Sequence, residues 1–214
     1  MAQTSSISND TIATRSSRTP KPLLSKSKED LLSSRQKDAV AGLEDLIKDG
    51  YPKFTMSEIA SKLKVSLRTL YEIAPKKDKL LLIAVDRLLF KTGAKAQKAI
   101  NKNDSPMTKL HSFLKETTEA TLNNALAFTE DFDGIKGGRE LIDSHENFCV
   151  DICEGFLKDA IKIKEINLAY PRYMAIELSG LTRERTKRYS KEESSYKNEN
   201  NEIWDVIFRG LKKN

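Results

Sequence analysis

Between Phe54 and Lys79 the chain carries start signals for two short helices separated by a turn, and no other stretch constrains its folding as tightly. Thr55, followed three residues later by Glu58, is a capping box, so a helix begins at Met56. Its inward face is Ile59, Ala60 and Leu63. Lys64 and Val65 make the turn, with Val65 inward, and Ser66 caps a second helix whose inner face is Leu70 and Ile73. Two short helices joined by a turn of about three residues form a helix-turn-helix. In that motif the second helix lies in a major groove and its first residues meet base edges.

The outer face of the second helix then carries the chemistry. Leu67, Arg68, Thr69 and Tyr71 stay outside once Leu70 and Ile73 turn inward. An arginine pairs bidentately with guanine O6 and N7, which makes Arg68 the reading residue, and Leu67 suits a thymine methyl. The hydroxyls of Thr55 and Tyr71 suit phosphates, and Lys76 and Lys77 stand where the next helix begins.

From about residue 30 the apolar spacing is helical throughout, and no alternation is long enough to compel a strand. Val40, Leu43, Leu46 and Ile47 form one stripe, which ends at Gly50. Polar or glycine-bearing breaks fall at 101–106, 131–138, 167–171 and 183–201. Helices are expected over 80–100, 106–128, 139–166, 171–187 and 199–212. The expected fold is all-α, a three-helix head over 29–79 and a helical domain over 80–214. Residues 1–28, rich in Ser, Thr and basic side chains with almost no apolar periodicity, are read as a disordered basic tail.

Charge supports a division of labour. Residues 1–100 hold 19 Lys and Arg against 11 Asp and Glu, whereas residues 101–214 hold 18 against 20. Part of the basic excess lies in the tail, so the placement of Arg68, Tyr71 and Lys77 is the stronger argument for a polyanion partner. No apolar run approaches the ~20 residues of a membrane span. Two cysteines four positions apart are no disulfide framework and point to a reducing, cytoplasmic setting.

The stretch from Arg35 to about Leu89 resembles the N-terminal domain of TetR-family transcriptional regulators. The resemblance rests on Leu46 to Tyr51 closing the first helix, Thr55, Glu58-Ile59-Ala60, Val65-Ser66, Thr69-Leu70-Tyr71, and Pro75-Lys76-Lys77 before Leu80-Leu81. It implies that Thr55, Ser66, Arg68, Thr69, Tyr71 and Lys77 face double-stranded DNA. It further implies a homodimer on a pseudo-palindromic operator, a ligand-responsive repressor, and a C-terminal domain that takes a small inducer. The chain departs from the family pattern at Lys64, where glycine is usual, at Arg68, where a small residue is common, and at Ile73 and Ala74, where an aromatic pair stands. A left-handed Lys64 would cost ~1 kcal/mol more than glycine there.

In the C-terminal half, Phe113, Phe128, Phe132, Phe148, Phe156, Tyr173 and Met174 are candidates to line a pocket for a small apolar or aromatic effector, although aromatics at helical spacing more often fill a core. The resemblance makes the last two helices the dimer contact, with Trp204, Ile207, Phe208 and Leu211 as candidates. His145, Cys149 and Cys153 share one helix face, and with His111 they could compose a zinc site. Buried core is the expectation for that face, which also carries Phe156. No Gly-x-Ser-x-Gly, phosphate-loop or His-Glu-x-x-His pattern occurs, so neither catalysis nor a cofactor is expected. The competing reading is a helical protein–protein interaction module of the same fold that has lost DNA reading.

Overall fold

The computed structural model describes residues 19–48, 53–123, 132, 134–189 and 200–211. Among these, the regular elements are nine helices: α1 (Lys26–Asp30), α2 (Ser34–Lys48), α3 (Met56–Lys62), α4 (Leu67–Ile73), α5 (Lys77–Lys98), α6 (Pro106–Asn123), α7 (Gly138–Lys162), α8 (Pro171–Tyr189) and α9 (Asn200–Leu211). The all-α expectation holds. No helix among the described residues is long and apolar enough to cross a membrane. Gly50, Phe128 and residues 1–18 lie outside the described residues.

Two apolar cores divide the molecule. The first gathers Leu43 and Ile47 of α2, Ile59 and Ala60 of α3, Leu70 of α4, and Leu80 to Val85 with Leu88 of α5. The second gathers Met107, Leu110 and Phe113 of α6, Ile152 and Phe156 of α7, Leu178 of α8, and Trp204 and Phe208 of α9. Helix α5 serves both, since Ala96 near its end belongs to the second core. At 22 residues it reaches ~33 Å, enough to run from the head into the body.

Part of the expected tail is ordered. Ser25 caps α1, Leu24 is buried in the first core, and Leu23 packs beside it. The Leu23 N–H donates to Asp86 Oδ2 at 2.8 Å, and Arg87 bridges Glu29 of α1 to Glu44 of α2. Two leucines and one backbone hydrogen bond to a buried carboxylate fix residues 19–28, which composition alone assigned to a disordered arm. Burial works against the Arg87 charge, but the hydrogen bonds it donates to Glu44 and Glu29 outweigh that and hold the guanidinium pKa above its ordinary value.

The two halves are also joined off-helix. Phe132 and Ile135 are buried in the first core with Leu141 of α7, so Phe132 is no pocket wall of the second. The turn into α7 needs two glycines. Gly137 sits at φ 91°, and a Cβ on Gly138 would strike the Phe132 carbonyl oxygen. Behind this turn His145 of α7 meets Asp86 of α5, Nε2 to Oδ1 at 3.0 Å, with both side chains buried. The Phe90 ring stands edge-on to the imidazole, centroids 4.9 Å apart. Asp86 therefore ties the N-terminal segment, the long shared helix and the body at one carboxylate.

Candidate nucleic-acid interface

The local signals around the turn form as their spacing requires. The Thr55 backbone N–H donates to Glu58 Oε2 at 2.7 Å, and the Glu58 N–H donates to Thr55 Oγ1 at 3.3 Å, which completes the capping box. Backbone and hydroxyl hydrogen bonds from Thr55 hold the Glu58 carboxyl pKa below the ordinary carboxylate range. Ser66 caps α4, accepting from the Thr69 N–H at 3.0 Å, while the Ser66 and Thr69 hydroxyls lie 2.7 Å apart.

Lys64 takes the left-handed conformation, φ 54°. Its N–H donates to the Ser61 carbonyl at 3.1 Å and the Val65 N–H to the Ala60 carbonyl at 3.0 Å, the paired bonds of a Schellman turn. The turn thus closes without glycine. At the other end of α4, Ala74 is extended, φ −149° and ψ 137°, as a residue before proline prefers, and Pro75 stops the helix.

Leu70 is buried, Ala74 is buried beside it and Ile73 is half-buried, which seats α4 on the head. Thr55, Ser66, Leu67, Arg68, Tyr71 and Lys76 are exposed, whereas Thr69 and Lys77 are half-buried. Arg68 projects from α4, its side chain 88 % exposed. Its Nε donates to Glu72 Oε1 at 2.9 Å, and Gln36 of α2 donates from Nε2 to Glu72 Oε2 at 3.1 Å. Sequence reasoning passed over both Glu72 and Gln36. The spacing of Arg68 and Glu72, four apart on one helix, was the available signal for the first; the second needed the packing of α2 on α4.

The other candidate sites are distributed differently from the sequence expectation. Phe113 and Phe156 are buried in the second core, ring centroids 6.5 Å apart, and Phe148 and Met174 are half-buried against it. Tyr173 points outward at 69 % exposure, against Tyr170, so it lines no interior pocket. A groove of about 310 Å³ does lie between α7 and α8, but its walls are Glu146, Asn147, Arg172, Ile176, Gly180 and neighbours, with none of the aromatic candidates. Trp204, only 1 % exposed, and Phe208 are buried within their own chain, so neither offers a surface to a second copy. Ile207 and Leu211 pack half-buried against the same core. The outward apolar residues of the last two helices are Tyr173, Ile176, Leu181, Ile203 and Val206.

The four metal candidates do not converge. His145 is engaged by Asp86, and His111 faces Asp205 and the Phe208 ring. Burial, with Glu146 adding to it, pushes the Cys149 thiol up to about 12, and burial pushes Cys153 well above its ordinary value. Among the described residues no three His, Cys, Asp or Glu side chains are grouped to hold a metal ion.

The sequence matches no family model and no curated protein. The fold does have solved counterparts. A TetR transcription regulator from Haloarcula marismortui ATCC 43049 superposes with a TM-score of 0.73 at 11 % identity, over 84 % of this chain and 98 % of that one. A bacterial regulatory protein of the tetR family from Rhodococcus RHA1 gives 0.66 at 14 % identity, over 85 % and 99 %. AibR, solved in complex with isovaleryl coenzyme A and operator DNA, gives 0.59 at 17 % identity, over 84 % and 98 %. This chain shares the fold of these TetR-family transcriptional regulators along nearly their whole length.

Proposed function

We propose that the chain is a DNA-binding transcriptional regulator that acts as a homodimer on a pseudo-palindromic operator, with α4 as its reading helix. The observation that carries this reading is the α3–α4 pair itself. Leu70 seats the helix from below, while Arg68, Leu67 and Tyr71 project from it and Lys76 stands at its far end. Arg68 reads a guanine; Thr55, Ser66, Thr69, Tyr71, Lys76 and Lys77 hold phosphates around it. The left-handed Lys64 leaves the turn intact and Ala74 ends α4 in extended backbone ahead of Pro75, so neither departure from the family pattern unseats the helix.

The second copy meets the outward faces of α8 and α9, where Tyr173, Ile176, Ile203 and Val206 leave apolar surface uncovered. A two-fold contact there would set the reading helices one DNA turn, ~34 Å, apart. The body takes a small apolar or aromatic effector whose binding favours one spacing of the heads, which is how a repressor would be released. Support for an effector is the shared fold of AibR, which holds isovaleryl coenzyme A with its operator.

Selection of binding sites from a pool of random duplexes tests the reading. The expected result is one enriched sequence with two inverted half-sites about 10 base pairs apart. If nothing is enriched and all duplex binding disappears at moderate salt, the regulator reading is wrong.

A further inference from the structure

A carboxylate on the face that approaches a polyanion is unfavourable unless it does something else there. Glu72 is such a group, with a side chain 46 % exposed on α4, one turn beyond Arg68. Both of its oxygens are occupied. Oε1 accepts from Arg68 Nε at 2.9 Å, and Oε2 accepts from Gln36 Nε2 at 3.1 Å. The far end of this chain of contacts is fixed as well. Gln36 Oε1 accepts from the Ser33 N–H at 2.8 Å and from the Ser33 hydroxyl at 3.1 Å, where the chain enters α2. A backbone N–H can only donate and an ionised carboxylate can only accept, so the two neighbours fix the orientation of the Gln36 amide.

Using Nε leaves the two terminal nitrogens of the Arg68 guanidinium as the outward edge. That edge carries two parallel N–H donors and can span guanine O6 and N7. A long, exposed arginine otherwise samples many rotamers and loses that freedom on binding. We infer that Glu72, anchored by Gln36, is a positioning residue that pre-sets the Arg68 guanidinium for base reading and so determines specificity at one base pair. The inference rests on the reading of α4 as the DNA-facing helix. It adds that selectivity at the Arg68 position belongs to a three-residue relay reaching back to α2.

The test uses the full chain and the operator obtained by selection. Affinity is measured for that operator and for duplexes changed at the one base pair where Arg68→Ala relaxes preference. Glu72→Gln should lower discrimination at that base pair by roughly 5–10-fold, the scale of a weakened bidentate pair. Binding to unrelated duplexes should hold or strengthen, because a negative charge has left the interface. Gln36→Glu keeps the acceptor for Ser33 but loses the donor to Glu72, and should act in the same direction. In the Arg68→Ala background Glu72→Gln should change discrimination no further.

Unchanged discrimination in Glu72→Gln overturns the inference, as does an equal loss in the Arg68→Ala background, which would mean that Glu72 meets the base itself. Discrimination that survives Arg68→Ala at every position also overturns it. A chain that enriches no sequence at all defeats the DNA reading and the relay together, and that outcome is distinct from the other three. Melting curves for each variant separate loss of positioning from loss of fold.

Discussion

The head and the body of this molecule bury apolar side chains in the same way but leave opposite surfaces outside. On α4 the residues left out are Leu67, Arg68, Tyr71 and Glu72, with Lys76 just beyond. On α8 and α9 they include the apolar Tyr173, Ile176, Leu181, Ile203 and Val206, set among charged residues such as Glu177, Arg183, Glu202 and Asp205. A cationic and hydroxylic surface suits a phosphate backbone, and an apolar one suits another protein surface. The difference teaches that the two halves present chemically different surfaces, while Asp86 bonds the N-terminal segment and the body at the junction between them.

The sharpest way to break this comparison is to exchange the two stripes of α9. Trp204→Ala empties the second core and should cost ~3–5 kcal/mol of folding stability, read by denaturant unfolding. Val206→Glu lies on the exposed stripe and should leave helicity and melting of the monomer nearly unchanged while shifting the sedimentation profile to a single copy. If Trp204→Ala instead gave a stable monomer, that side chain would belong to an interface after all.

Those two residues also show what could be read from the sequence. Ile203, Trp204, Val206, Ile207, Phe208 and Leu211 cover more than half of the circumference of α9. Periodicity identifies such a helix but not which stripe turns inward, because both stripes are apolar; packing against α6 decides it. The reading helix was legible because its signals are local. Thr55, Glu58 and Ser66 act within four residues of themselves, and even the left-handed turn at Lys64 follows from the caps on either side. Leu23 and Leu24 were not legible, since Asp86, which takes the Leu23 N–H, is more than sixty residues away and the core that buries Leu24 is built from later helices. Phe132 looked like pocket lining for the same reason: its contacts in the first core are long-range.

The junction supplies the next test. Asp86→Ala strands the Leu23 N–H and His145 Nε2, two buried donors or acceptors that lose one shared partner. Loss on that scale is ~3 kcal/mol. Head and body should then unfold in separate steps, visible as two transitions by hydrogen exchange along α2 and α7. A single transition with unchanged midpoint would show that Phe132 and Ile135 hold the halves together without the carboxylate.

Smaller effects distinguish the residues proposed to face DNA. Arg68→Ala should cost ~1–3 kcal/mol and relax preference at one base pair. Lys77→Ala should weaken binding to every duplex alike and lower the salt slope by about one. Lys77 is half-buried at the start of α5, so its variant is best compared with Lys76→Ala, which removes an exposed charge. Matching profiles for Arg68→Ala and Lys76→Ala would erase the distinction between reader and anchor.

The smallest predicted effect compares the two halves at their backbones. Each ends a helix in a Schellman turn with a left-handed lysine, Lys64 after α3 at φ 54° and Lys164 after α7 at φ 61°. At the second, the Lys164 N–H donates to the Ile161 carbonyl at 3.0 Å and the Glu165 N–H to the Ala160 carbonyl at 2.9 Å. Glycine relieves the steric cost of that conformation, ~1 kcal/mol, but returns part of it as extra freedom in the unfolded chain. Each Lys→Gly change should therefore raise stability by ~0.5 kcal/mol, seen as a small rise in the denaturant midpoint at constant slope. The two differ in a second readout. Lys64 is an exposed cation in the turn that carries α4, so Lys64→Gly should also weaken binding to all duplexes and reduce the salt slope, whereas Lys164→Gly, out in the body, should leave DNA binding untouched. An equal effect of both on DNA affinity would mean that Lys64 does not face the phosphates, and that the turn serves only to aim α4.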